Sequence, residues 1–255
     1  MELGLDKKKV IVTGGSRGIG KSILQNMVDE GAAVATCARG EEALNAALES
    51  WRASGAKAYG SALDVTNEQQ YSDWFSQSLE QLGGLDVFVS NVTSRITTKG
   101  NQRWQDTFEV DLMQHIRATE LAIPYLKQGD NPSIVYISSI ASVMTTNMPT
   151  ETEYGVMKAA LISYATQLAT KLGKDNIRVN LVSPGPIYHD GGFWQMVEKN
   201  QPELFTRAKA VSVFNRLGTA QEVANAVTFL ASPAASNITG ANLRVDGGAI
   251  KTVNF

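Results

Sequence analysis

Val10-Ile11-Val12-Thr13-Gly14-Gly15-Ser16-Arg17-Gly18-Ile19-Gly20, followed by the amphipathic run from Lys21 to Glu30, decides how the rest of the chain is read. A short apolar run, a glycine-rich turn and a helix in that order form a unit in which backbone N–H groups can approach a diphosphate closely. The helix N-terminus adds partial positive charge at the same place.

The next apolar run, Ala32 to Ala38, is the strand whose end reaches the adenine ribose of a bound dinucleotide. An acidic residue there would hold a ribose 2′-hydroxyl, whereas arginine accommodates a 2′-phosphate. The chain has Arg39, and Arg17 in the glycine turn is a second cation, so the pair favours NADP(H) over NAD(H). The plainer alternative is that Arg39 only opens a surface helix.

Strand and helix keep alternating outward from this unit. Helices are expected near Glu41 to Ser54, Glu68 to Gln81, Trp104 to Lys127, Glu153 to Leu172 and Ala220 to Ala231. Strands are expected at Lys57 to Ala62, Asp86 to Ser90, Ser133 to Ser138, Arg178 to Ser183 and Asn242 to Val245. This alternation predicts an α/β fold with a doubly wound parallel sheet, in which ligands sit at the carboxyl ends of the strands. No linker or further repeat interrupts it, so residues 1–255 read as one domain.

The least regular stretch runs from about residue 184 to 213. With Gly191-Gly192 for bending and Ile187, Tyr188, Phe193, Trp194, Met196 and Val197 for contact, it reads as an irregular insertion that covers a substrate. Ordinary packing or a subunit contact is the alternative.

The 255 residues suffice for a sizeable core. A near balance of 23 Lys+Arg and 25 Asp+Glu argues against nucleic acid or an anionic membrane as the main partner. The single cysteine, Cys37, lies in an apolar run and suits a reducing compartment. No run approaches the ~20 apolar residues of a membrane span, and Met1 to Asp6 does not read as a signal peptide, so a cytoplasmic location is expected.

Chemistry enters with Tyr154-Gly155-Val156-Met157-Lys158. On a helix, residues four apart share a face, so an ammonium there would stand beside the phenol. A free tyrosine titrates near pH ~10, and a fixed positive neighbour favours the phenolate, which makes such a tyrosine usable as general acid or base.

Taken in order, these motifs resemble the classical short-chain dehydrogenase/reductase family over essentially the whole length. Thr13 to Gly20 matches its T-G-x-x-x-G-x-G turn, and Leu63-Asp64-Val65 its acidic residue after the third strand. Ile137-Ser138-Ser139, Tyr154 and Lys158 match its catalytic serine, tyrosine and lysine. Asn180 through Pro184-Gly185 and the ending Val245-Asp246-Gly247-Gly248 are also typical. The resemblance implies a Rossmann-type sheet of about seven strands and reversible hydride transfer between a nicotinamide and a carbonyl or alcohol. It implies cofactor contacts at Gly14, Ser16, Arg17, Gly18, Ile19, Gly20, Arg39, Asp64, Val65, Asn91, Tyr154, Lys158, Pro184, Gly185 and Ile187. Tyr154 would move the proton, Ser139 would hydrogen-bond the same oxygen, and Lys158 would assist the phenol and hold the nicotinamide ribose. Ser139 is preferred to Ser138 because alternate strand residues face opposite sides.

The chain departs from the family pattern at three places. Ser90-Asn91-Val92-Thr93 stands where the family has N-N-A-G. The usual catalytic asparagine falls on Asp111, which can only accept hydrogen bonds when ionised and adds a negative charge. Asp111 either stands near Lys158 or pairs with a neighbouring helix. The threonine expected shortly after Pro184-Gly185 is replaced by Tyr188-His189. His115 reads as a packing residue. Val92, Met144, His189, Phe193 and Trp194 are candidate substrate contacts within walls drawn from 92–96, 140–148 and 187–197. No cluster has metal-ligand spacing, so no catalytic metal is expected.

The leading expectation is an NADP(H)-dependent oxidoreductase of secondary alcohols and carbonyl compounds. A 3-oxoacyl-thioester reductase and a non-catalytic NADP-binding sensor or scaffold are the alternatives. A homo-oligomer, tetramer or dimer, is expected by resemblance.

Overall fold

The computed structural model describes residues 2–93, 97–145 and 152–252. Seven strands form one parallel sheet in the order β3-β2-β1-β4-β5-β6-β9: β1 (Lys9–Thr13), β2 (Ala33–Ala38), β3 (Ala58–Ala62), β4 (Val87–Ser90), β5 (Ser133–Ile137), β6 (Arg178–Pro184) and β9 (Asn242–Val245). The central strands are apolar on both faces because helices cover both. Successive β1 residues show why. Ile11 points into one core, with Tyr71, Trp74 and Phe75 of α3 (Glu68–Leu82), Ala118 and Ala122 of α5 (Gln114–Leu126), and Leu161 and Ala165 of α6 (Thr152–Leu172). Val10 and Val12 point into the other, with Ile23, Leu24 and Met27 of α1 (Gly18–Asp29), Leu44 and Trp51 of α2 (Glu41–Ala53), and Val223 and Val227 of α9 (Ala220–Ala231). This is a Rossmann-type doubly wound sheet, and the strand order reverses between β1 and β4, the place outside whose carboxyl ends sheets of this kind bind their ligands.

Two expectations need correction. The stretch from Trp104 to Lys127 is not one regular helix. α4 (Gly100–Phe108) passes into a five-residue π-helical turn, Glu109–Met113, before α5 begins. Such turns insert an extra residue into a helix, which the apolar period of the sequence does not register. The insertion after β6 is not irregular either. A short strand β7 (Ile187–Tyr188) pairs with β8 (Gly218–Thr219), and between them lie α7 (Phe193–Asn200) and α8 (Pro202–Val211). Trp194, Val197, Ala208 and Leu217 are buried together, with Tyr188 and Phe205 against them. Tyr188 and Trp194, two of the aromatics expected to face a ligand, thus contribute to a small core within the insertion, whereas Phe193 is exposed.

Cys37 is buried on β2, and burial pushes its thiol up to about 12. It is an inert core residue.

Candidate active site

The glycine turn at the end of β1 is shaped by what its glycines exclude. Gly14 and Gly18 have positive φ, 76° and 54°, which disfavours any side chain. At Gly15 a Cβ would overlap the side chains of Leu24 and Thr36, and at Gly20 it would overlap the Gly14 carbonyl oxygen. Thr36 Oγ1 locks the turn by accepting from Gly15 N (3.0 Å) and donating to Val12 O (2.6 Å). α1 begins at Gly18, three residues before Lys21, with no acidic residue in its first turn and no side-chain cap at Arg17. Its first N–H groups therefore lack an internal acceptor and point out of the helix end. A cradle of bare backbone donors with no competing carboxylate fits the diphosphate of a dinucleotide.

Most of the other cofactor candidates lie at or just beyond the carboxyl ends of the strands. Asn91, just after β4, donates through Nδ2 to Thr13 O (2.9 Å) and Gly14 O (3.3 Å), so it ties β4 to the turn. Val92 packs beside Gly14 and against the core. Arg39 directly follows β2 and is exposed, as is Arg17. Asp64 is exposed beyond β3, its Oδ1 accepting from Thr66 N (2.9 Å) and Thr66 Oγ1 (2.8 Å), while Val65 is buried. Pro184 ends β6. Gly185 packs on Asp246, whose carboxylate takes the N–H groups of Gly248 and Ile250, which gives the Val245 to Gly248 ending a structural role. Ile187 packs over Gly218 on β8, and Ser16 is half-buried in the turn.

The candidate catalytic groups lie at the carboxyl end of β5 and on α6. Ser138 is buried and donates to the Lys158 carbonyl (3.2 Å). Ser139 is half-buried and caps a single 3-10 turn, Ile140–Ser142, by accepting from Ala141 N (3.1 Å). Ser139 is the more exposed of the two serines. Gly155 has no space for a side chain, since a Cβ would lie 2.8 Å from the Ala141 carbonyl oxygen. The glycine lets the first turn of α6, which carries Tyr154, close onto the turn that carries Ser139. Its role follows from a contact between segments distant in sequence, so Gly155 had no signal of its own.

One helical turn on, the Lys158 ammonium lies 5.6 Å from the Tyr154 ring centre, as the four-residue spacing requires. It also donates to Ile137 O (3.2 Å) and pairs with Asp111 Oδ1 at 3.3 Å. Both side chains of this pair are buried, 1 % and 0 % exposed. Of the two placements open to Asp111, the structure shows the one beside Lys158, reached through the π turn. Thr93 Oγ1 donates to the same carboxylate oxygen (2.6 Å), so the residue that replaces a family glycine serves as its hydrogen-bond partner. Nothing in the sequence connected Thr93 with Asp111.

His115 is a core residue, fully buried, with Nδ1 2.6 Å from Ser90 Oγ. Burial, and then the Lys158 charge, push its imidazole well below the usual histidine range, so it is neutral.

Met144 is half-buried beyond the Ser139 turn, and Phe193 is exposed. Trp194, 7 % exposed, belongs to the core of the insertion. His189 lies against Gly18 of the cofactor turn. Parts of the expected walls, 94–96 and 146–148, lie outside the described residues. Among the described residues no three His, Cys, Asp or Glu side chains are grouped to hold a metal ion, and no helix is long and apolar enough to cross a membrane.

Comparison with known proteins agrees with this geometry. A family model described as enoyl-(acyl carrier protein) reductase matches residues 14–249. Isoepoxydon dehydrogenase of Penicillium expansum is 34% identical over 250 residues, covering 96% of this chain and 95% of that protein. A tropinone reductase homolog of Datura stramonium is 33% identical over 247 residues, covering 93% and 90%. Among solved structures, L-sorbose reductase from Gluconobacter frateurii complexed with NADPH and L-sorbose superposes with a TM-score of 0.87 at 28% identity, over 99% of this chain and 100% of that one. A 7α-hydroxysteroid dehydrogenase complexed with NADH reaches 0.89 at 29% identity, over 99% and 98%. With its sheet order, a family model over residues 14–249 and relatives covered along nearly their whole length, the chain belongs to the classical short-chain dehydrogenase/reductase family and is an oxidoreductase of that type.

Proposed function

We propose that the protein is an NADP(H)-dependent oxidoreductase that interconverts a secondary alcohol and its ketone or aldehyde, with Tyr154 as general acid and base. The observation that carries this reading is the Lys158 ammonium held 5.6 Å from the Tyr154 ring by a buried carboxylate and a backbone carbonyl. The cofactor supplies or accepts the hydride. In reduction Tyr154 gives its proton to the developing alkoxide while Ser139 hydrogen-bonds the same oxygen, an interaction that strengthens as charge builds there. Lys158 stabilises the phenolate that remains. The test is NADPH oxidation by wild type and Tyr154→Phe across a panel of ketones, aldehydes and sugars.

NADP(H) over NAD(H) is supported by two exposed cations, Arg17 and Arg39, at the ends of adjacent strands, with no carboxylate at the β2 terminus. Arg39→Asp is expected to lower the NADPH/NADH ratio of kcat/KM by about tenfold or more, the worth of a charged hydrogen bond. An unaltered ratio would remove Arg39 from cofactor recognition.

Asp111 adds negative charge beside the Lys158–Tyr154 pair and so opposes the phenolate that alcohol oxidation needs. In Asp111→Asn the rise of oxidation rate with pH is therefore expected to move to lower pH. A pH profile superimposable on the parent's would refute this role.

A 3-oxoacyl-thioester reductase would need a basic rim for an acidic carrier protein. Lys127, Lys171 and Lys174 lie toward the amino ends of the strands, and Lys127 pairs with Asp175 (3.1 Å). Lys171 follows Tyr154 by 17 residues on one helix, about 25 Å away. Small-molecule substrates are accordingly favoured. A homo-oligomer is supported by Trp104, Phe108 and Val156, exposed on α4 and α6, and the reading places the chain in the cytoplasm.

A further inference from the structure

We infer that Thr93 is a positioning residue for the proton transfer: its hydroxyl holds the Asp111 carboxylate back from Lys158, so that the ammonium stays available to the Tyr154 phenolate. This deepens the reading of Tyr154 and Lys158 proposed above and rests on it. Three segments meet at one atom, Asp111 Oδ1 in the π turn. Thr93, on the segment that follows β4, donates to it through Oγ1 at 2.6 Å, and Lys158 of α6 faces it from 3.3 Å. The first distance is that of a charge-assisted hydroxyl–carboxylate bond, whereas an ammonium in full contact with a carboxylate stands at about 2.7–2.9 Å. The hydroxyl therefore makes the tight contact, and the ion pair is left loose. Lys158 also donates to Ile137 O at 3.2 Å, so the ammonium is shared rather than captured by the carboxylate.

Thr93 suits this task because the backbone before it is tied down twice. Asn91 N donates to Thr13 Oγ1 (3.0 Å) and Asn91 Nδ2 to Thr13 O, which fastens the segment to β1. The buried Gln114 Nε2 donates to the carbonyls of Val92 (3.4 Å) and Val110 (3.1 Å), and so links the same segment to the π turn that carries Asp111. A β-branched side chain has few χ1 choices, so the hydroxyl is aimed in advance. Thr93 is exposed whereas Asp111 is fully buried, so the side chain serves that bond rather than the packing of the core. Removing the hydroxyl lets Oδ1 close on the ammonium, because opposite charges attract strongly where water is excluded. An ammonium neutralised in that way stabilises the phenolate of Tyr154 less, across the 5.6 Å that separates it from the ring. The proton then leaves Tyr154 more slowly, with the cofactor bound as before.

The test is steady-state reduction of cyclohexanone, benzaldehyde and sorbose by the full-length protein, with the NADPH dissociation constant measured beside it. Thr93→Val is nearly isosteric but lacks the donor. It is expected to lower kcat about tenfold and to leave the carbonyl KM and the NADPH dissociation constant within about twofold of the parent's, as for an interaction that acts only in the transition state. Thr93→Ala removes the same donor without a branched apolar group, and gives the same readout where valine disturbs the segment. Thr93→Ser keeps the donor and should stay within about threefold of the parent. In Asp111→Asn no carboxylate is left to close on Lys158, so adding Thr93→Val there should change kcat by less than about twofold. Equal kcat in parent and Thr93→Val, a loss that persists undiminished in Asp111→Asn, or weaker NADPH binding in place of a slower step each overturn the positioning role and leave the reading of Tyr154 standing. A parent that binds NADPH and reduces none of the probes, or a Tyr154→Phe that still turns over, overturns that reading and this inference with it.

Discussion

Lys158→Met is expected to cost the protein both its activity and a large part of its stability. The variant keeps the length and apolar stem of the side chain but removes the cation facing Asp111, which is fully buried in the π turn. Breaking a buried ion pair from one side costs about 3–5 kcal/mol, because the desolvated charge left behind loses its compensation. For a chain of this size each kcal/mol moves the midpoint by about 2–4 °C, so Tm should fall by on the order of 10 °C. The double variant Lys158→Met/Asp111→Leu removes both charges and should regain most of that loss, since a buried pair exchanged whole for apolar groups is often neutral. It should regain no turnover, because the phenolate still has no ammonium beside it. If the single variant melts with the parent, the pair is not holding the site. If the double variant turns over carbonyl substrates, Lys158 is not needed for proton transfer.

Tyr154→Phe separates chemistry from binding. It removes one hydroxyl from a half-buried ring and leaves the Lys158–Asp111 pair intact, so the fold should be nearly unaffected. Loss of a positioned general acid lowers rate by about a hundredfold to ten-thousandfold. NADPH binding should weaken only by one neutral hydrogen bond, at most about tenfold. The measurement is kcat/KM for carbonyl reduction beside the NADPH dissociation constant. Turnover that survives in Tyr154→Phe would transfer the acid–base role to another group. An unaltered protein that binds NADPH tightly and reduces nothing in the panel would favour a sensor or scaffold.

The elements carrying these effects differed in how far they could be read from residues alone. Strand β9 and helix α9 have the bounds that the apolar pattern predicts, Asn242–Val245 and Ala220–Ala231, because each is bounded by its own turn and cap residues. At the N-terminus of α9 the hydroxyl of Thr219 and the carboxylate of Glu222 form a capping box, a device written in four consecutive positions. The π turn has no such local mark. Its residues, Glu109 to Met113, are ordinary helix formers, and the extra residue is accommodated where Asp111 meets Lys158 on another helix. The same holds for α7, where Trp194 and Val197 read as cover for a substrate or as ordinary packing until they are seen packed with Ala208 and Leu217.

Sequence alone determined what repeats at short range: the glycine turn after β1, the alternation that makes the sheet parallel, and the Tyr154–Lys158 pair one helical turn apart. These follow from backbone geometry, in which a spacing of four residues or a positive φ has the same meaning in any fold. Tertiary structure alone decided which way Asp111 faces, that Gly155 must lack a side chain, that Thr93 joins the carboxylate, and that His189 lies against Gly18 of the glycine turn. Each of these depends on a contact between segments that folding brings together from far apart, and no local periodicity encodes the distance between two side chains on different elements.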